Sequence, residues 1–262
     1  MRRFVIVSAA LVMACGRQVQ VATAPAVPAR ADITSADQLL TAMRDRHASR
    51  WYRTITFVQK STYYRPDGSV SRVETWYEAG AIPGRLRIDI GDPSRGTGVL
   101  YRNDSVYSVD RGRIVARQKG RNPLLILGFD AYAQPVARTM EQLRAEGVNM
   151  SLLRVDSLAG RRMYVVGAGP RDSTSNQFWI DADRLLFARL IQTDTARRRT
   201  QDIRFDKYAA YDSGWVAEEV RVLIGGRLMF HEEYSSVRVN VPLDEQLFIP
   251  EQWTTATHWY KP

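Results

Sequence analysis

A chain of 262 residues, 45% hydrophobic and 25% charged, is long enough to bury most of the surface its unfolded form exposes, and one large domain is expected. Its single cysteine, Cys15, lies near the start and so excludes a disulfide framework, a thiolate metal site and a cysteine nucleophile from the body of the chain. The net charge of +9 comes from basic residues that alternate with apolar ones or sit singly in loops, unlike the clustered footprint of a nucleic-acid module, so no nucleic-acid partner is expected.

Arg2 and Arg3 precede an apolar run from Phe4 to Met13 and a small residue, Ala14, which together read as an export signal over residues 1–14. The run is too short to span a bilayer, which takes roughly 20 apolar residues. Val12-Met13-Ala14-Cys15 resembles the lipobox of bacterial lipoproteins, which implies that Cys15 is the lipid attachment site and the first mature residue. A secretory cut slightly later, discarding Cys15, and an uncleaved cytosolic start are the alternatives. Gly16 resembles the residue that sorts lipoproteins outward, implying the periplasmic face of the outer membrane. Beyond residue 14 the chain carries 35 basic and 28 acidic residues, a net of +7. Residues 15–33 carry little charge and no apolar period, and read as a flexible tether between the anchor and a single domain over 34–262.

Ser35 and Gln38 form a capping-box pattern, and Leu39, Leu40, Met43 and His47 follow at helical spacing. From residue 51 to about 115 the period changes to two, with turn signals every 8 to 14 residues. This predicts an antiparallel meander with strands over 55–64, 70–77, 85–90, 99–102, 106–109 and 113–116. In Arg85-Leu86-Arg87-Ile88-Asp89-Ile90 every second residue is apolar, so one face is expected dry and the other wet. Asn122-Pro123 supplies an N-cap and a first helical residue for a short helix carrying Leu124, Leu125 and Leu127. A second helix, broken near Pro135, runs to Gly147. Strand patterns resume over 151–155, 162–166, 176–180, 185–193, 200–208, 215–224 and 227–239, with tight turns at Asp181-Ala182-Asp183 and Gly225-Gly226. Arg197-Arg198-Arg199 reads as a solvated turn, or as a contact for anionic headgroups or an acidic partner.

Catalysis is hard to assemble from this inventory. His47, His231 and His258 are the only histidines, and His231-Glu232-Glu233 lacks the second histidine four residues later that a zinc-protease helix needs. No nucleophile elbow, phosphate loop or dinucleotide fingerprint occurs, and no metal or cofactor is expected. Asp181 with Asp183, or Asp202 with Asp206, could do acid and base work, but turn and strand settings favour solvation. The apolar content is more informative. Phe57, Tyr77, Leu86, Ile88, Ile90, Val99, Phe178, Ile180, Phe187 and Phe230 come from many strands of one curved sheet, whose apolar face must be covered. Either the helices pack there as a solid core, or they form a lid over a cavity that accepts acyl chains.

Several motifs, in order, resemble the LolA/LolB superfamily of periplasmic lipoprotein carriers and receptors, which also includes RseB-like sensors. They are the N-terminal helix before a meander, Pro83-Gly84-Arg85-Leu86-Arg87, Asn122-Pro123-Leu124-Leu125, Phe178-Trp179-Ile180-Asp181, Phe205 with Tyr208 and Gly214-Trp215, and Asn240-Val241-Pro242-Leu243-Asp244 leading to Leu247-Phe248-Ile249-Pro250. The resemblance implies an α+β, mostly antiparallel fold: an incomplete curved β-barrel of about 11 or 12 strands with a helical lid. It implies an apolar cavity for lipid or lipoprotein acyl chains, walled by Leu86, Ile88 and Ile90 and roofed by Leu124, Leu125 and Leu127. It also implies an arginine holding the lid closed, for which Arg87 is the nearest match. The expected protein is a monomeric, non-enzymatic, lipid-anchored binding protein. An envelope sensor or scaffold recognising a periplasmic protein is the alternative, and an exported hydrolase using the histidines a third.

Overall fold

The computed structural model describes residues 33–260 except 195, 197, 198, 212 and 213. The expected signal, Cys15, the expected tether up to residue 32, and Arg197 and Arg198 lie outside the described residues. The domain begins with α1 (Ala36–His47), capped as its sequence predicts: Ser35 Oγ accepts from Gln38 N–H at 3.2 Å, while Gln38 Oε1 reaches back to Thr34 N–H at 2.8 Å. Six strands follow, β1 (Thr54–Tyr64), β2 (Val70–Ala81), β3 (Arg85–Ile90), β4 (Gly98–Arg102), β5 (Ser105–Asp110) and β6 (Arg113–Lys119). The chain then forms α2 (Pro123–Gly128), a 3-10 turn (Asp130–Tyr132) and α3 (Val136–Ala145). Seven more strands complete it: β7 (Leu153–Leu158), β8 (Arg161–Val166), β9 (Gln177–Asp181), β10 (Phe187–Asp194), β11 (Arg199–Tyr211), β12 (Gly214–Ile224) and β13 (Arg227–Val239).

All thirteen strands join one antiparallel sheet in the order β6-β5-β4-β3-β2-β1-β13-β12-β11-β10-β9-β8-β7. The count exceeds the expected 11 or 12 because every alternating segment pairs, including the short ones at the two edges. The sheet is not closed: β6 and β7 end the order, and α2 and α3 carry the chain from one to the other. This is an incomplete barrel with a helical lid. β2 runs four residues beyond its predicted end because Ala79, Gly80 and Ala81 are too small to show alternation, yet pair with both β1 and β3. Gly80 needs its missing side chain, since a Cβ there would lie 2.9 Å from Ile55 Cγ2.

The main core lies between the inner face of the sheet and the helices. Leu39, Leu40 and Met43 of α1, Leu125 and Leu127 of α2, and Leu143 of α3 meet Phe178, Ile180, Phe187 and Phe205. The 3-10 turn locks this core to the sheet, because the buried Phe187 N–H donates to Tyr132 Oη at 2.8 Å. Tyr132→Phe leaves that amide unsatisfied, and urea unfolding is expected to show a loss of about 1–3 kcal/mol.

A second apolar cluster occupies the outer face. Ala79, Ala81, Leu100 and Val109 are covered by Leu247, Phe248 and Trp253 of the segment after β13. That segment turns twice, at Glu245–Phe248 and Pro250–Gln252, and is fixed by Arg102 Nη1 donating to Phe248 O at 2.7 Å and by an ion pair between Arg85 and Glu245. The outer face of β3 is therefore dry, contrary to the expectation from alternation.

Candidate ligand-binding site

Beneath α2 the sheet and lid enclose a hollow of about 130 Å³. Strand register builds its walls. Phe57 of β1 stands opposite Glu78 of β2, which stands opposite Ile88 of β3, so all three side chains share the inner face. Gln59 pairs with both Trp76 and Tyr234 and extends that face toward β13. Leu86 and Tyr101 continue the wall, while Leu124 and Leu125 of α2, with Phe129 and Phe205, close it from the lid side. Asn122 Oδ1 accepts from Leu124 N–H at 2.9 Å and so sets the angle at which the helix enters.

The walls are not purely apolar. Glu78 is 4% exposed and Glu232 9% exposed, and both line the hollow. Tyr234 Oη donates to Glu232 Oε2 at 2.7 Å, and the Tyr234 ring stacks on Phe57 at 4.3 Å between centroids. Burial pushes the Glu232 carboxyl up to about 7 despite that hydrogen bond. The Glu78 carboxyl is pushed well above the ordinary range, by burial first and by nearby Glu232 second. No lysine, arginine or histidine is among the residues lining the hollow.

The structure sorts the predicted residues into four groups. Phe57, Leu86, Ile88, Leu124 and Leu125 surround the hollow. Phe178, Ile180, Phe187 and Leu127 belong to the filled core, with Phe187 edge-on to Phe205 at 4.7 Å. Ile90, Val99 and Phe230 are half-buried away from it, Phe230 lying against Tyr63 and Trp76. Tyr77 and Arg87 are on the opposite face. Tyr77 sits one residue from Glu78 in the pleat and packs on Tyr260 at 4.4 Å, so it does not join the inner wall. Arg87 grips Asp89 through two 2.8 Å bonds, donates to Trp253 O at 3.1 Å and stacks on the Trp253 ring. It holds the C-terminal segment rather than the lid.

Glu78, Tyr101, Phe205, Glu232 and Tyr234 were not foreseen. Alternation in β13 carried the signal for one of them: Phe230, Glu232 and Tyr234 fall at every second residue, so an acid between two aromatics must face inward. The other carboxylate pairs prove structural. Asp181 accepts from the backbone of Asp183 and Arg184 and meets Arg161, while Asp202 is gripped by Arg189 and Arg204. His47 Nε2 lies 3.0 Å from Arg184 O, His231 lies beside Glu219 and His258 beside Asp89, three separate places.

No protein-family model and no curated protein sequence matches the chain. Solved structures do. A DUF1329 family protein from Desulfovibrio piger superposes with a TM-score of 0.57 at 17% identity, over 81% of this chain and 95% of that one. A LolA superfamily protein from Nitrosomonas europaea gives 0.52 at 11% identity, over 82% and 98%. A putative outer membrane lipoprotein-sorting protein domain from Vibrio parahaemolyticus gives 0.52 at 12% identity, over 83% and 97%. The fold is LolA-like.

Proposed function

We propose that this is a non-enzymatic binding protein of the bacterial envelope, anchored through Cys15 at the periplasmic face of the outer membrane, whose lidded hollow takes acyl chains of lipids or lipoproteins. The observation that supports it is the roofed inner face: Phe57, Leu86 and Ile88 on the sheet, Leu124 and Leu125 on a helix of six residues joined through loops. At about 130 Å³ the hollow is smaller than an ordinary ligand pocket of roughly 300–1,000 Å³. Cargo therefore enters by displacing α2, and the structure is the closed state. Binding is reversible and breaks no bond.

Fatty acids of increasing length, titrated against the full chain in mild detergent, test this. Affinity is expected to rise about tenfold for every two methylenes, following ~0.8 kcal/mol per buried CH₂. Ile88→Trp, which fills the hollow, is expected to abolish uptake while circular dichroism stays unchanged. A chain that takes up no fatty acid, and carries none when sprayed intact into a mass spectrometer, is not an acyl carrier.

A further inference from the structure

We propose that the hollow beneath α2 is the seat of an organic ammonium group, held between the carboxylates of Glu78 and Glu232 within a wall of aromatic rings, so that the cargo is an amine-bearing amphiphile. This deepens the acyl-binding reading and rests on it for the ligand's tail.

The first support is an unmatched acid. Among the described residues the Glu78 carboxyl meets neither a hydrogen-bond donor nor a base, although it is 4% exposed and aimed into the hollow. Buried polar groups are ordinarily paired, and acids are almost never buried otherwise. This chain gives its other enclosed acids a base or a donor: Asp89 has Arg87, Asp104 has Arg121 and Arg138, Asp181 has Arg161, Asp202 has Arg189, and Asp130 has the Gly84 N–H. Arginine is absent from the residues around Glu78 and Glu232, where a ligand can supply the missing cation.

The second support is the character of the walls. Phe57, Trp76, Tyr101 and Tyr234 all line the hollow, and the negative faces of such rings attract alkylammonium ions. The third is size. A volume of about 130 Å³ has room for a methylated ammonium with the lid closed, whereas a hydrocarbon chain needs α2 to move first. The head would occupy the preformed space, and the tail would follow Leu86 and Ile88 once α2 moves.

Protons compete with such a ligand. Burial raises both carboxyls, that of Glu232 to about 7, so an arriving cation competes with protons for them. The other titratable groups facing them are the phenols of Tyr101 from β4 and of Tyr234 itself, both pushed upward by burial and uncharged in this range. Ammonium binding therefore strengthens with pH and releases protons to the buffer.

Calorimetry of the full chain with dodecyltrimethylammonium below its micellar concentration, dodecanol, dodecyl sulfate and tetramethylammonium, at pH 6 and pH 8, tests the inference. Dodecyltrimethylammonium is expected to bind at least about tenfold more tightly than dodecanol at pH 8, with the gap narrowing at pH 6. The gap is expected to vanish in Glu78→Gln and Glu232→Gln, which keep the shape of the hollow and whose fold is followed by circular dichroism. Tetramethylammonium binding that these variants lose identifies a free amine as sufficient; its absence beside strong binding of the tailed cation identifies a lipid headgroup. Equal binding of dodecanol and dodecyltrimethylammonium overturns the ammonium seat and leaves the acyl reading standing, as does a preference that survives both substitutions. Failure of every tailed probe while tetramethylammonium still binds removes the acyl reading alone, and failure of all four removes both.

Discussion

Replacing Arg87 by methionine is expected to lower the unfolding free energy by about 3–5 kcal/mol, measured by urea denaturation at pH 7. The guanidinium is 2% exposed and the Asp89 carboxylate 0%. Burial works to raise the Asp89 carboxyl, but hydrogen bonds from His258 and Arg87 hold it below its ordinary value, so it enters the fold as an anion. Among the described residues, removing Arg87 leaves that anion with only His258 Nε2, at 3.1 Å. The same substitution frees Trp253 O and uncovers the Trp253 ring, so limited proteolysis is expected to cut faster between residues 240 and 260. Arg87→Met with Asp89→Leu removes both charges together and should recover most of the loss, since the penalty lies in the unpaired charge rather than in the absence of the pair. If the double variant is as unstable as the single one, the ion pair is not what holds this face.

Glu232→Gln is expected to act in the opposite direction, stabilising the protein at pH 8 by on the order of 3 kcal/mol. The folded protein keeps this proton up to about pH 7, whereas an unfolded glutamic acid releases it near its ordinary value of 4.5. Between those values the native state binds the extra proton, so its stability is full below the lower value and is lost as pH rises through the upper one. Asp130 behaves alike: burial raises it to about 7 although Gly84 N–H donates to it at 2.9 Å. The wild-type chain should therefore lose stability steadily from about pH 5 to pH 8, and the variant should show a shallower slope across the same interval. A variant no more stable than wild type at pH 8 would mean that Glu232 ionises freely. Glutamine cannot take part in that loss.

Much of the architecture was readable because its signals are local. Ser35 and Gln38 mark where α1 begins, Asn122-Pro123 marks α2, and Gly225 and Gly226 both adopt positive φ in the β12–β13 turn, as a two-residue hairpin demands. Alternation in β3 correctly separates Leu86 and Ile88 from Arg87 and Asp89. It cannot reveal what covers the second set, because Leu247, Phe248 and Trp253 sit in turns that have no period. Tyr77 was misplaced for a related reason. β2 reads Thr75-Trp76-Tyr77-Glu78, two adjacent aromatics between polar residues, so only its register with β1 and β3 decides which ring faces inward. The candidate site was half legible: its aliphatic floor and roof follow from pattern, whereas its acids violate the rule that strands hide apolar residues and expose charged ones.

The first and last strands of the chain, β1 and β13, are zipped together, and the break falls instead between β6 and β7, halfway along the chain. All seven residues of β6 are exposed and three are basic, which guards that rim against pairing with a foreign strand. Because no ladder joins the two rims, spreading them severs no main-chain hydrogen bond. The rims can part without breaking the sheet, and the peptide framework behind them stays intact.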